Sequence, residues 1–182
     1  MATKVDLHVL RGGNLYAENA AGEALNTHLA LEEFTLPKLS EKYEDFAPAA
    51  NNGAIEVAMN REAVSAKFKL RGLQPSVLPL FLTPFGARRK FTYFGVLVNE
   101  YSTNAAERLM QVTATLYGRL TAEPEAGKGG DFTGVDYEIK SVSKYTLVMG
   151  TTEVARFNIE LGGWVDADGQ AQTIANMLGI AA

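Results

Sequence analysis

His8 and His28 are the only two histidines in the chain, and so the only side chains that titrate near neutral pH without a strong perturbation. They lie twenty residues apart in unlike surroundings, and a histidine-based triad would need partners from distant segments that no motif supplies. Glu32 and Glu33 are adjacent carboxylates, but in a strand they face opposite sides and cannot form an acid–base dyad. Asp166-Ala-Asp168-Gly169 shares a fragment with calcium loops yet lacks the third acidic position and the terminal glutamate, so helix capping is the expected role. Gly127-Lys128-Gly129-Gly130 is glycine-rich like a phosphate cradle, without the P-loop spacing or its Lys-Ser/Thr pair. Gly86-Ala-Arg-Arg-Lys90 is the one dense basic cluster, a solvated turn or an anion or partner contact. There is no cysteine, which removes thiolate chemistry and disulfides. No catalytic constellation and no cofactor follow from these residues. They point to a protein that works through its shape and surfaces.

Composition agrees. A length of 182 residues suits one domain, and a formal charge of −4 is unlike the basic balance of a dedicated nucleic-acid binder. No stretch approaches the roughly 20 apolar residues of a membrane helix, and the first residues hold no apolar run of signal-peptide length. A soluble protein made in the cytosol is the expectation.

The elements are mostly strands. Gln111–Thr121 alternates strictly, with Val112, Ala114, Leu116, Gly118 and Leu120 opposed to polar positions. Further strands are expected over Thr27–Leu36 (interrupted by Pro37), Lys38–Phe46, Ala54–Met59, Ala63–Arg71, Lys90–Tyr101, Glu107–Glu123, Val135–Val148 and Val154–Leu161. The phase of Val135–Val148 slips near Ser141–Ser143, which predicts a bulge. Val5–Leu10 reads as a short extended piece, after which Gly12-Gly13 and residues 19–22 break the pattern into an arm spanning about residues 1–26. Gln74–Phe85 is expected to be a helix capped by Ser76, with Pro79 in its first turn and Leu78, Phe81, Leu82 and Phe85 on its apolar face. A second short helix, Gly169–Leu178, is capped by Asp168 and ended by Gly179. Trp164 is expected to close the core. Short turns between sequential strands give a mainly β, antiparallel sandwich or barrel with one internal and one C-terminal helix.

Glu33-Phe-Thr-Leu-Pro-Lys-Leu39 resembles the strand ending of the major tail tube proteins of contractile-tailed bacteriophages, and the features downstream occur in that family's order. They are the loop Asn51-Asn52-Gly53, the strand Ile55–Met59, Phe68-Lys-Leu-Arg-Gly72 leading into Ser76–Leu82, and the strand ending Tyr117-Gly118-Arg119. The Gly/Lys/Asp loop 126–134, Tyr145–Met149 closing into Glu153–Ile159, and the end Ala175–Ile180 follow. The resemblance covers roughly residues 30–180 and is specific as an ordered set, while Glu18–Leu25 differs. It implies one tail tube domain related to the type VI secretion tube protein, forming stacked homohexameric rings as the inner tube of a contractile tail. Implied partners are the tail sheath, tape measure, baseplate and tail terminator proteins. DNA passes through the lumen without specific binding, and no membrane is involved. The particle would be a virion tail assembled in the host cytoplasm.

The resemblance assigns ring stacking to about residues 46–61, with Phe46, Pro48, Asn51, Asn52, Ile55, Met59 and Arg61 as contacts, and secondarily to the N-terminal segment. Glu138, Lys140, Arg156, Asn158 and Glu160 are candidate lumen residues, in a channel expected to be net negative so that DNA slides. The same fold in a phage-tail-like bacteriocin or secretion tube is the nearest rival. A monomeric ligand-binding β-barrel is a second, and an esterase or metal enzyme a third.

Overall fold

A computed structural model describes residues 6–47, 49, 53–127, 129–130, 133–165 and 169–180. Positions 48, 51, 52, 128, 166 and 168, to which the sequence assigned loop, stacking or capping roles, lie outside the described residues. The chain is built on three long strands: β7 (Arg89–Asn99), β8 (Leu109–Pro124) and β9 (Gly134–Met149). The alternation of β8 is realised as read. Val112, Ala114, Leu116 and Leu120 are buried, between Phe91 and Tyr93 of β7 and Ile139, Tyr145 and Leu147 of β9. Beyond β7 lie β1 (His8–Glu18) and β2 (Ala24–Asn26), and beyond β9 lie β10 (Thr152–Asn158) and β11 (Gly163–Val165). Every pairing is antiparallel.

β9 changes partner half-way. Its first half pairs with β6 (Ala66–Arg71), which carries β3 (Leu31–Thr35), and its second half pairs with β10. The switch falls at the slip expected near Ser141–Ser143. Tyr117 faces Lys144 while Arg119 faces Lys140, so three residues of β9 oppose Gly118 alone. Ser141 takes φ of 52°, the left-handed conformation such a bulge requires. Gly118 is needed there, because a Cβ would lie 2.6 Å from Ile139 Cγ2 and 2.9 Å from the Lys140 carbonyl oxygen. The bulge bends the sheet, and β3 comes round against β1 toward a barrel. Phe34 stacks on Tyr93 at 4.2 Å between centroids, and Thr27 donates from both its amide and its hydroxyl to the Leu15 carbonyl. The enclosed core is filled by Leu15, Phe68, Leu70, Phe91, Tyr137 and Tyr145.

Four expectations change. Residues 8–26 are two integral strands over most of what was read as an arm, with Leu15 and Ala17 in the core. Gly12-Gly13 does not break the pattern, because Gly13 is where the Tyr93 ring crosses the backbone. A Cβ there would lie 2.3 Å from the Tyr93 hydroxyl. The internal helix is a five-residue 3-10 segment, Leu78–Leu82, preceded by Val77 and without a side-chain cap from Ser76. Its period of three buries Val77, Leu80 and Thr83, leaving Phe81, Leu82 and Phe85 exposed, opposite to the helical face expected. A four-residue helix α1 (Ala105–Arg108) precedes β8, and the C-terminal helix α2 (Gln170–Met177) follows Gly169. Trp164 packs on the core against Tyr145 and Phe157.

Tyr145 and Tyr137 are buried with no hydrogen-bond partner for their hydroxyls. Burial pushes the Tyr145 hydroxyl up to about 12 and those of Tyr137 and Tyr93 upward as well. The unfolded chain releases these protons first, near pH 10, so stability is complete below about pH 10 and falls as pH rises toward 12. Alkaline titration should therefore show tyrosinate absorbance and loss of β-sheet circular dichroism rising together. Ionisation of all seven tyrosines with an intact spectrum would contradict the burial.

Candidate assembly surfaces

β4 (Glu41–Phe46) and β5 (Ile55–Arg61) form a two-stranded sheet of their own. The base of this hairpin is clamped. Glu62 donates its amide to the Ser40 carbonyl, the Ser40 hydroxyl donates to the Glu62 carboxylate, and Lys38 Nζ lies 3.5 Å from it. The Ser40 hydroxyl, and next Lys38, hold the Glu62 carboxyl below its ordinary range. Arg61 pairs with Glu41 at 3.2 Å.

Further out only the backbone ladder holds the strands. Tyr43, Phe46, Ile55, Val57 and Met59 are between 41 and 56 % exposed there. Phe46 sits opposite Ile55, Glu44 opposite Val57, and Asp45 directly opposite Glu56. An apolar two-stranded ribbon is marginal in water, and a like-charge cross-strand pair weakens it further. These exposed apolar side chains make the ribbon a candidate contact surface. Of the stacking residues assigned from sequence, Phe46, Ile55, Met59 and Arg61 fall on this hairpin. Tyr43 and Val57 are exposed on the same ribbon; Val57 is legible as the middle of the alternation Ile55, Val57, Met59, whereas Tyr43, three residues before Phe46, follows no strand period.

The lumen candidates share the polar side of β9 and β10 but form two groups on either side of the Ser141 bulge. Glu138 and Lys140 pair with each other at 2.9 Å, beside Lys67 of β6 and Thr121 of β8. Arg156 and Asn158 lie opposite Thr146 and Lys144. Asn158 accepts a hydrogen bond from the Glu160 amide, starting the 3-10 turn Ile159–Leu161, and Glu160 pairs with Lys144 at 2.6 Å. Arg156 pairs with Glu153 at 2.5 Å. This second group continues across the sheet through Thr115 and Tyr117 of β8, Lys90 and Thr92 of β7, and Tyr16 of β1. Lys90 pairs with Glu18 at 3.7 Å. Most of the charged side chains of this face named here are matched in pairs, Lys67 having no ion pair among the described residues.

The sheet has open sides. β2 covers only Tyr16–Glu18 of β1, and β11 covers only Arg156–Asn158 of β10, which leaves the rest of both strands with one partner each. The accessible surface, 12256 Å², exceeds the roughly 8,600 Å² of a compact monomer of this mass. The surplus is equivalent to between four and five one-sided shares of a standard interface at ~800 Å² each.

Residues 10–160, from β1 into the turn after β10, match the family model of phage tail tube protein FII. The chain belongs to that tail tube family. As a tail tube protein it is a structural protein and not an enzyme. Its fold is that of a chain in the six-fold symmetrised cryo-electron microscopy structure of the anti-feeding prophage baseplate. The TM-score is 0.52 and the identity 13 %, over 81 % of this chain and 97 % of that one. A chain of the sheath–tube complex of an extracellular contractile injection system, PVC, in its extended state is 8 % identical over 77 % of this chain and 88 % of that one. Its TM-score of 0.48 is too low to carry an argument. No curated protein matches the tail tube chain.

Proposed function

We propose that this tail tube protein forms homohexameric rings that stack through the β4–β5 hairpin into the inner tube of a contractile tail, a conduit for DNA during ejection. The observation that carries the reading is the hairpin itself, a separate ribbon with apolar side chains exposed along both strands and, among the described residues, no buried side chain over its outer half. Open edges on β1 and β10 support lateral joining, since a neighbour's β10 edge beside the β1 edge continues the sheet and satisfies ladder groups otherwise left to water. Such a contact is heterologous, and it closes into a ring when the rotation per copy divides a full turn. Six copies is the number the family resemblance implies. The polar sheet face with mostly paired charges suits a channel wall, because unpaired cations would trap phosphates. Glu138, Lys140, Arg156, Asn158 and Glu160 are the proposed lining.

In this reading the sheath surrounds the tube, the tape measure fills it before ejection, and the baseplate and terminator close its ends. Assembly takes place in the host cytoplasm, and the 182 residues act as a single domain. Averaged end views of assembled particles should show six-fold rings with one bore. Rings of another order would reject the hexamer. DNA should elute past immobilised tubes unretarded at low salt, whereas salt-sensitive retention would reject a channel without net positive charge.

A further inference from the structure

The 3-10 segment leads into a loop that presents apolar side chains to water in a fixed posture. Phe85 is fully exposed, and Phe81 and Leu82 are mostly so. Arg119 holds the loop, donating to the carbonyls of Pro84 at 2.6 Å, Ala87 at 3.1 Å and Thr83 at 2.8 Å, with its guanidinium 5.7 Å from the centre of the Phe85 ring. Arg88 follows, donating to the Ser141 carbonyl at 2.8 Å and to its hydroxyl. Arg89 begins β7 opposite Gly118, with its Nε buried and unpartnered. Among the described residues none of these three arginines has a carboxylate partner, although most other cations do. An apolar knob held by Arg119 and followed in the chain by two more arginines without carboxylate partners is a prepared contact.

The hairpin tip is its complement. Glu44, Asp45 and Glu56 have no cation partner among the described residues, and they are neighbours of Phe46, Ile55 and Val57 along the two strands. Phe46, Ile55, Val57 and Glu44 share one face of the ribbon and Asp45 and Glu56 the other, so the tip is acidic on both faces and answers a knob with Arg119 over Phe85 and Arg88 and Arg89 following it in the chain. The two surfaces lie apart within one copy. The hairpin leaves from the β3–β6 side and leans over Val154 and Trp164, whereas the loop is fastened to β8.

We infer that the acidic, apolar tip of the β4–β5 hairpin docks on the Phe81–Phe85 knob and its arginines in a second copy of this chain. This rests on the stacking reading above and names the surface that receives the hairpin. Docking would also relieve the Asp45–Glu56 repulsion, which the isolated chain has no means to relieve.

Because the chain has no cysteine, the contact can be trapped without background. Full-length protein carrying Asp45→Cys and Arg88→Cys, assembled and mildly oxidised, should run as a ladder of covalent multiples that collapses on reduction. Tubes that form without a ladder would overturn the inference while leaving ring stacking intact. If this variant does not assemble where the unmodified chain does, charge exchange decides. Asp45→Arg and Arg88→Asp should each raise the concentration needed for assembly about tenfold, the weight of one charge-assisted contact, and together return it to near the original value. A double variant no better than the single ones would equally overturn the inference. Failure of the unmodified chain to form tubes would instead remove the stacking reading on which it rests.

Discussion

A chain carrying Phe46→Ser, Ile55→Ser and Val57→Ser together is expected to fold as the unmodified protein does and to remain unassembled. These side chains are about half exposed in the single chain and pack on no core residue, so folding loses little with them. In an assembled tube each would be covered, and each truncation would forfeit on the order of 1–2 kcal/mol of apolar burial. Summed over the three, the contact weakens by roughly 10²–10⁴-fold, and a polymer that repeats the contact at every ring loses elongation altogether. Circular dichroism and thermal melting should be unchanged, while sedimentation and electron microscopy should find no tubes. Tubes of normal length from this variant would show that stacking uses another surface.

The second large effect concerns the core. Leu116 lies at the centre of β8, fully buried between Phe91 of β7 and Tyr145 of β9. Leu116→Ala removes that packing and leaves a cavity the paired backbones on both sides cannot close, at a cost of about 3–5 kcal/mol. For a chain of this size the melting temperature should drop by roughly 6–20 °C, measured on unassembled protein so that tube contacts do not mask the loss. A drop of only a degree or two would mean that β8 does not occupy the centre of the core.

The strands that bury one face were legible in the sequence because burial imposes a period of two, and Gln111–Thr121 shows it without interruption. The bulge was legible for the same reason, as a slip of phase at Ser141–Ser143 that the structure resolves into a left-handed Ser141 opposite a lone glycine. β1 was misread because Gly12-Gly13 has the composition of a turn. Its cause is the ring of Tyr93, eighty residues away, and a local pattern does not register a long-range contact. The 3-10 segment was misread because apolar residues at 78, 81, 82 and 85 fit a helical face, yet Arg119 fixes the loop from across the fold and turns Phe85 outward. The hairpin's strands were legible as Lys38–Phe46 and Ala54–Met59, and its stacking role came from the family resemblance. Its separation from the main sheet, which gives it a reason to seek a partner, needed the structure. The lumen candidates follow from polarity; Glu138–Lys140 and Arg156–Glu153 are pairs within one strand, and only the Lys144–Glu160 pair needed the fold to show it.

The central physical claim is that surfaces left open in one copy are closed by other copies. Purified unmodified protein should be taken through a concentration series by light scattering, with electron microscopy of each sample. The account predicts a steep rise in mass above a threshold, with hollow rings and tubes of uniform bore. A single species of about 20 kDa at every concentration, with fields empty of tubes, would contradict it.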